Sequence, residues 1–130
     1  MSVMADTDET GNTLGDAASS AGAVALEDRD GTAVLRVDGD LDLALAPKLR
    51  QLAERAARLG PAVLVIDLTG VTFLASAGMA ELVRAHRGRT VSTPLRVVAT
   101  GRITLRPLEL TRLTDELAIY PSLSEALATG

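Results

Sequence analysis

Seven residues, Ala62 to Leu68 (AVLVIDL), narrow the possible folds more than any other feature. A half-exposed strand alternates apolar and polar residues, and this run does not. Continuous apolar character over so short a stretch suits a strand covered on both faces, which is the situation in a parallel sheet flanked by helices. The run is far below the roughly 20 residues that a membrane-crossing helix needs.

The flanking patterns supply the rest of such a sheet. AVALED (23–28) and TAVLRVDG (32–39) read as strands joined by the turn DRDG, a hairpin signal. APKLRQLAERAARLG (46–60) reads as a helix, with Leu49, Leu52, Ala53, Ala56 and Leu59 on one stripe, Pro47 near its start and Gly60 past its end. A second helix is expected over about residues 77–88, with Met79, Leu82, Val83 and His86 on its apolar side and Glu81, Arg84 and Arg87 elsewhere. LRVVAT (95–100) is a strand, ITLRPLELTRL (103–113) a helix kinked or begun near Pro107, LAIY (117–120) a short strand and SLSEALA (122–128) a last helix. The order is ββαβαβαβα, an α/β domain with a largely parallel sheet.

Charge and composition exclude several function classes. The 130 residues suffice for one domain and include no cysteine and one histidine, His86, so thiol chemistry, disulfides and a cysteine–histidine zinc site are ruled out and no metal site is expected. Residues 1–22 hold Asp6, Asp8, Glu9 and Asp16 and no basic residue, so the formal charge of −4 lies entirely there. This segment, without periodic apolar positions, is expected to be a disordered acidic tail ahead of a domain over 23–130. The domain is charge-balanced and its only aromatics are Phe73 and Tyr120, which gives nucleic acid neither a basic stripe nor a stacking platform. Without a secretory signal pattern or a long apolar run, a soluble cytoplasmic protein is expected.

In open sheets of this kind ligands and partners use the carboxyl edge of the strands. Three segments should converge there: DGDLD after the second strand, TGVTFLASAG after the third and ATGR after the fourth. Ser76 lies in the middle one, where a hydroxyl can cap the following helix or meet its free N–H groups. Asp40 and Asp42 are either partner-facing carboxylates or a solvated turn, and Leu41 is either an anchor or a core residue. Phe73 and Met79 offer apolar contact, Thr69 and Thr72 are further hydroxyls in the same loop, Gly70 suits a turn and Gly78 close packing at the helix start. Asp67 is expected to end its strand by bonding loop amides, and His86 to be structural.

VLRVDGDLDLALAPKLR followed by VLVIDLTGVTFLASAGMAELVRAHR resembles the STAS domain, specifically the single-domain anti-sigma-factor antagonists of bacteria. The resemblance covers about residues 23–129. It implies a mixed, mostly parallel sheet of about five strands packed with about four helices, no enzymatic activity and no cofactor. It also implies partner switching: the protein binds an anti-sigma factor that is a serine kinase, frees a sigma factor, is released when phosphorylated on serine, and is restored by a phosphatase. Ser76 matches the phosphoacceptor position. Asp40, Leu41, Asp42, Thr72, Phe73, Ala75, Gly78 and Met79 would form the partner surface. The family commonly has aspartate before the acceptor, where this chain has Ala75, which leaves a phosphorylation-independent scaffold or sensor-complex subunit as the alternative.

Two enzymatic or signalling readings fit less well. A nucleophile elbow at LASAG lacks its first glycine, and His86 lies ten residues along the same helix, roughly 15 Å away. A phosphoreceiver centred on Asp67 would need a late lysine, and Lys48, in the first helix, is the only one.

Overall fold

The computed structural model describes residues 22–90 and 93–128. The tail expected over residues 1–22 therefore lies, apart from Gly22, outside the described residues. The elements are β1 (Ala23–Arg29), β2 (Thr32–Leu41), α1 (Ala46–Arg58), β3 (Val63–Leu74), α2 (Ser76–Gly88), β4 (Leu95–Val98), α3 (Leu105–Leu110), a 3-10 turn (Leu113–Asp115), β5 (Ala118–Tyr120) and α4 (Leu123–Ala128). The ββαβαβαβα order expected from the sequence is observed. Asp30 and Gly31 both have positive φ, which gives the two-residue turn whose twist suits a β1–β2 hairpin.

The five strands lie in sequence order, β1 antiparallel to β2 and all other neighbours parallel. Three successive crossovers thus step in the same direction across the sheet. Because such crossovers share one hand, α1, α2 and α3 stack on one face. There Leu35, Ile66, Leu68 and Val97 of the sheet meet Leu49, Leu82 and Leu108 of the helices. On the other face Val34, Val63, Val65 and Val98 are covered by Ala126, Leu123 and Leu127 of α4. The continuous apolar run is explained by this: alternate residues of β3 belong to different cores. Each fully buried Leu, Ile or Val contributes about 1.5–3 kcal/mol relative to exposure, so both faces matter to stability.

Two expectations about boundaries are corrected. DGDL and TGVTFL are not loops: β2 continues to Leu41 and β3 to Leu74. Beyond the last β3–β4 pair, Asp67 with Val98, β2 and β3 run on together for seven residues of β3, roughly 20 Å. The pairing slips between Arg36 and Asp38 and again between Gly39 and Asp40, so β3 carries an extra residue at each point. Such bulges break the two-residue rhythm and re-aim side chains. The burial of β3 accordingly changes from continuous to a three-residue beat, with Thr69, Gly70, Thr72 and Phe73 exposed and Val71 and Leu74 buried. Gly39 supplies the positive φ needed at the second slip.

Other corrections follow from the same geometry. Asp67 does not end its strand. It sits where β4 stops pairing, and its Oδ1 accepts from the N–H and hydroxyl of Thr69. Gly70 lies inside β3 rather than in a turn. Leu59 is exposed, because α1 ends at Arg58 and the stripe does not extend past it. Glu81, expected on the outer side of α2, is only 6% exposed. Its carboxylate receives two nitrogens of Arg50 on α1, the closer at 2.8 Å, and lies 3.2 Å from Arg84 Nε.

Candidate functional site

The carboxyl ends of β2 and β3 and the first turn of α2 form one continuous surface. Ala75 is the residue that caps α2; its φ of −85° and ψ of 165° are extended, and no side chain bonds the helix N-terminus. Ser76 is therefore the first helical residue and not the cap, so of the two roles open to its hydroxyl, capping is not the one taken. The side chain is exposed. Gly78 and Met79 donate their N–H groups to the Ala75 carbonyl at 3.0 and 3.1 Å. The N–H groups of Ser76 and Ala77 precede the helical ladder and have no carbonyl partner within it.

The turn is locked to β2 from below. Ala75 N–H donates to the Leu41 carbonyl at 3.0 Å, and a Cβ at Gly78 would stand 2.6 Å from Leu41 Cγ and 2.9 Å from Leu41 O. Gly78 is thus required by close approach. Leu41 is fully buried, so of its two readings the structure supports core, and it acts on the surface by carrying the turn. Asp42 is half-buried and its Oδ1 accepts from Leu45 N–H at 3.1 Å, bracing the entry to α1.

The neighbouring hydroxyls are engaged. The bulge aims Thr72 at β2, where its hydroxyl donates to Asp40 Oδ1 at 2.8 Å, and the Thr69 hydroxyl donates to Asp67. Asp40 is thereby half-buried beside Thr72. Of the hydroxyls considered, Ser76 alone is exposed without a partner of this kind.

Exposed apolar side chains lie on the same edge. Phe73 is 54% exposed and Leu43, in the β2–α1 connection, 78%. Ile103, just past β4, and Leu110, ending α3, are also exposed, and next to Leu110 the Thr111 hydroxyl lies 3.8 Å from Met79 Sδ. Met79 itself is half-buried. Among the described residues five large apolar side chains are exposed, and four of them lie near the end of β3 (Phe73), in the connections after β2 and β4 (Leu43, Ile103) and at the end of α3 (Leu110). The sequence reading missed Leu43, Ile103 and Leu110. Placing ATGR at the same edge was the available signal for Ile103. Leu110 looked like one more apolar residue of a helix.

At the opposite end of α2, Arg87 holds Glu116 through two hydrogen bonds, at 3.1 and 3.2 Å, and keeps that carboxyl below its ordinary range. His86 is 16% exposed, with Nδ1 buried and unpaired and Nε2 3.9 Å from Glu116. Burial, followed by nearby Arg89, lowers its pKa. The ring is far from Ser76 and gives that hydroxyl no base. Among the described residues no three His, Cys, Asp or Glu side chains are placed to share a metal ion, and no helix is long and apolar enough to cross a membrane.

Comparison with known proteins places the chain in a family. The anti-sigma-F factor antagonist RsfB of Mycobacterium tuberculosis is 35% identical over 104 residues, which are 80% of this chain and 85% of that one. The crystal structure of an anti-sigma factor antagonist from Mycobacterium paratuberculosis is 37% identical, with a TM-score of 0.80 over 85% of this chain and 94% of that one. The Bacillus cell fate determinant SpoIIAA in its phosphorylated form shares the fold, with 17% identity and a TM-score of 0.61 over 81% of this chain and 96% of that one. The STAS domain itself matches residues 23–126. The chain belongs to the STAS domain family.

Proposed function

We propose that the chain is an anti-sigma-factor antagonist that works by partner switching. It captures an anti-sigma factor with serine kinase activity, which frees a sigma factor. Phosphorylation of Ser76 by that kinase ends the capture, and a serine phosphatase restores it. The observation that carries this reading is the exposed, unbonded Ser76 at the start of α2, at the same sheet edge as the exposed Phe73 and Leu43. The names of the two mycobacterial relatives, both at 35% identity or more, support it.

The physical argument needs no refolding. Exposed apolar side chains on the same edge as an unbonded hydroxyl suit a docking surface, and a helix N-terminus accepts a phosphate on its free N–H groups. The added group carries about −1.5 to −2 charges at neutral pH. Facing an acidic group about 8 Å away at an effective dielectric of about 40, it costs roughly 2 kcal/mol. That alone weakens binding about thirtyfold. Ser76→Asp should therefore weaken binding to the cognate anti-sigma factor, and Ser76→Ala should preserve it, as measured by calorimetry with purified partners. Equal affinity for both variants would defeat the switch.

Ala75 favours one alternative. Without a carboxylate at the cap, the chain could hold its partner constitutively as a scaffold, and phosphate would then not change the complex.

A further inference from the structure

A second recess lies between α1 and α2, at the end of α2 remote from Ser76. Its walls are small residues, Ala53 and Ala57 from α1 and Ala85 and Gly88 from α2, with Leu64 of β3 beneath them. Packed helices ordinarily fill such a seam with interdigitating side chains. Here a space of about 270 Å³ is left.

The rim is cationic. Arg50, Arg84 and Arg89 line it against Glu54 and Glu81, an excess of one positive charge. Glu81 is already committed, since Arg50 and Arg84 share its single carboxylate. Arg84 approaches it with Nε at 3.2 Å, and its side chain is more than half exposed at the rim. Arg89 donates to the carbonyl of His86, and the carboxylate that feels its charge, Glu116, is already held by two hydrogen bonds from Arg87. A guanidinium matches a carboxylate with two parallel hydrogen bonds, and does so better beside low-dielectric walls.

We propose that this groove binds a small amphipathic anion, a carboxylate on a short unbranched hydrocarbon body. The head meets Arg84 and Arg89, and the body lies on Ala53, Ala57, Leu64 and Ala85. The volume lies just below the usual range for small-molecule sites, roughly 300 Å³ upward, which restricts the body to a short chain. The inference does not depend on the role of Ser76. It bears on that role because α2 runs from Ser76 to this groove.

The test is titration of the full chain with sodium octanoate, followed by NMR and calorimetry, alongside hexanoate, octanol and octyltrimethylammonium. Saturable one-to-one binding of octanoate is expected, with shifts at Ala53, Ala57 and Ala85. Burial of each methylene is worth about fourfold in affinity, so hexanoate should bind about tenfold or more weakly. Octyltrimethylammonium should not compete. The double variant Arg84→Gln/Arg89→Gln should lose at least tenfold. Ala57→Leu, at an exposed position of α1, should fill the recess and lose as much while leaving Glu81 and its arginines untouched. Arg112→Gln, outside the groove, should bind normally. Absence of saturable binding, equal affinity for octanol and octanoate, or octanoate affinity unchanged in both groove variants would overturn the proposal.

Discussion

Replacing Gly78 with alanine tests how the proposed switch surface is held. A Cβ there would meet Leu41 Cγ at 2.6 Å, Leu41 O at 2.9 Å and Leu41 Cδ2 at 3.0 Å. The side chain of Leu41 is fully buried and cannot swing away, and its carbonyl belongs to the backbone of β2. The helix must therefore lift, which strains the 3.0 Å bond from Ala75 N–H to that carbonyl. Overpacking of this kind costs about 1–3 kcal/mol, and alanine recovers up to about 1 kcal/mol of helix propensity. A net loss of about 1–2 kcal/mol is expected, or roughly 5–15 °C in Tm for a domain of this size. Gly88→Ala is the control, since a Cβ at that end of α2 meets nothing within 4 Å. Thermal unfolding by circular dichroism distinguishes them. Gly78→Ala as stable as Gly88→Ala would refute the close-approach argument. Because Ser76 rides on the displaced turn, Gly78→Ala should also weaken partner binding.

Further outcomes are expected. Ala75→Asp supplies the missing cap of α2 and should raise stability by about 0.5–2 kcal/mol in urea titration; no gain would mean that the first turn is not free to be capped. Leu41→Ala should cost about 2–5 kcal/mol, whereas Leu43→Ala and Phe73→Ala should stay within about 0.5 kcal/mol of wild type yet weaken anti-sigma-factor binding tenfold or more. Stability losses from the two exposed residues comparable to that of Leu41→Ala would place them in the core instead. The lowered pKa of His86 means that the unfolded chain binds its proton more readily, so stability should be intact above the ordinary histidine value of 6.5 and decline as pH falls through it toward the folded value. His86→Leu should flatten that part of a Tm-versus-pH curve, and identical curves would remove histidine from the linkage.

The hairpin, the buried central strand and the helix order were legible because each rests on local periodicity or turn chemistry. Asp30-Gly31 and the Val63–Leu68 run could hardly mean anything else. What periodicity could not carry was the far end of β3, where two bulges replace alternation with a beat of three and make strand look like loop. Glu81 was hidden for a different reason: a charged residue is read as exposed, and its partner Arg50 lies 31 positions away on another helix. The placement of Ser76 at the α2 junction was readable from the sequence. Its being one residue inside the helix, rather than its cap, required the backbone torsions of Ala75.

The central claim is that Ser76 is a phosphorylatable switch at a partner-docking surface. Its most direct test is the intact mass of the full chain after incubation with anti-sigma-factor kinases of the same genome and Mg-ATP, beside Ser76→Ala. The account predicts one added phosphate on the wild type, none on the variant, and loss of the complex by the modified protein. A stable complex in which the wild type gains no phosphate, or a phosphate that persists in Ser76→Ala, would contradict it.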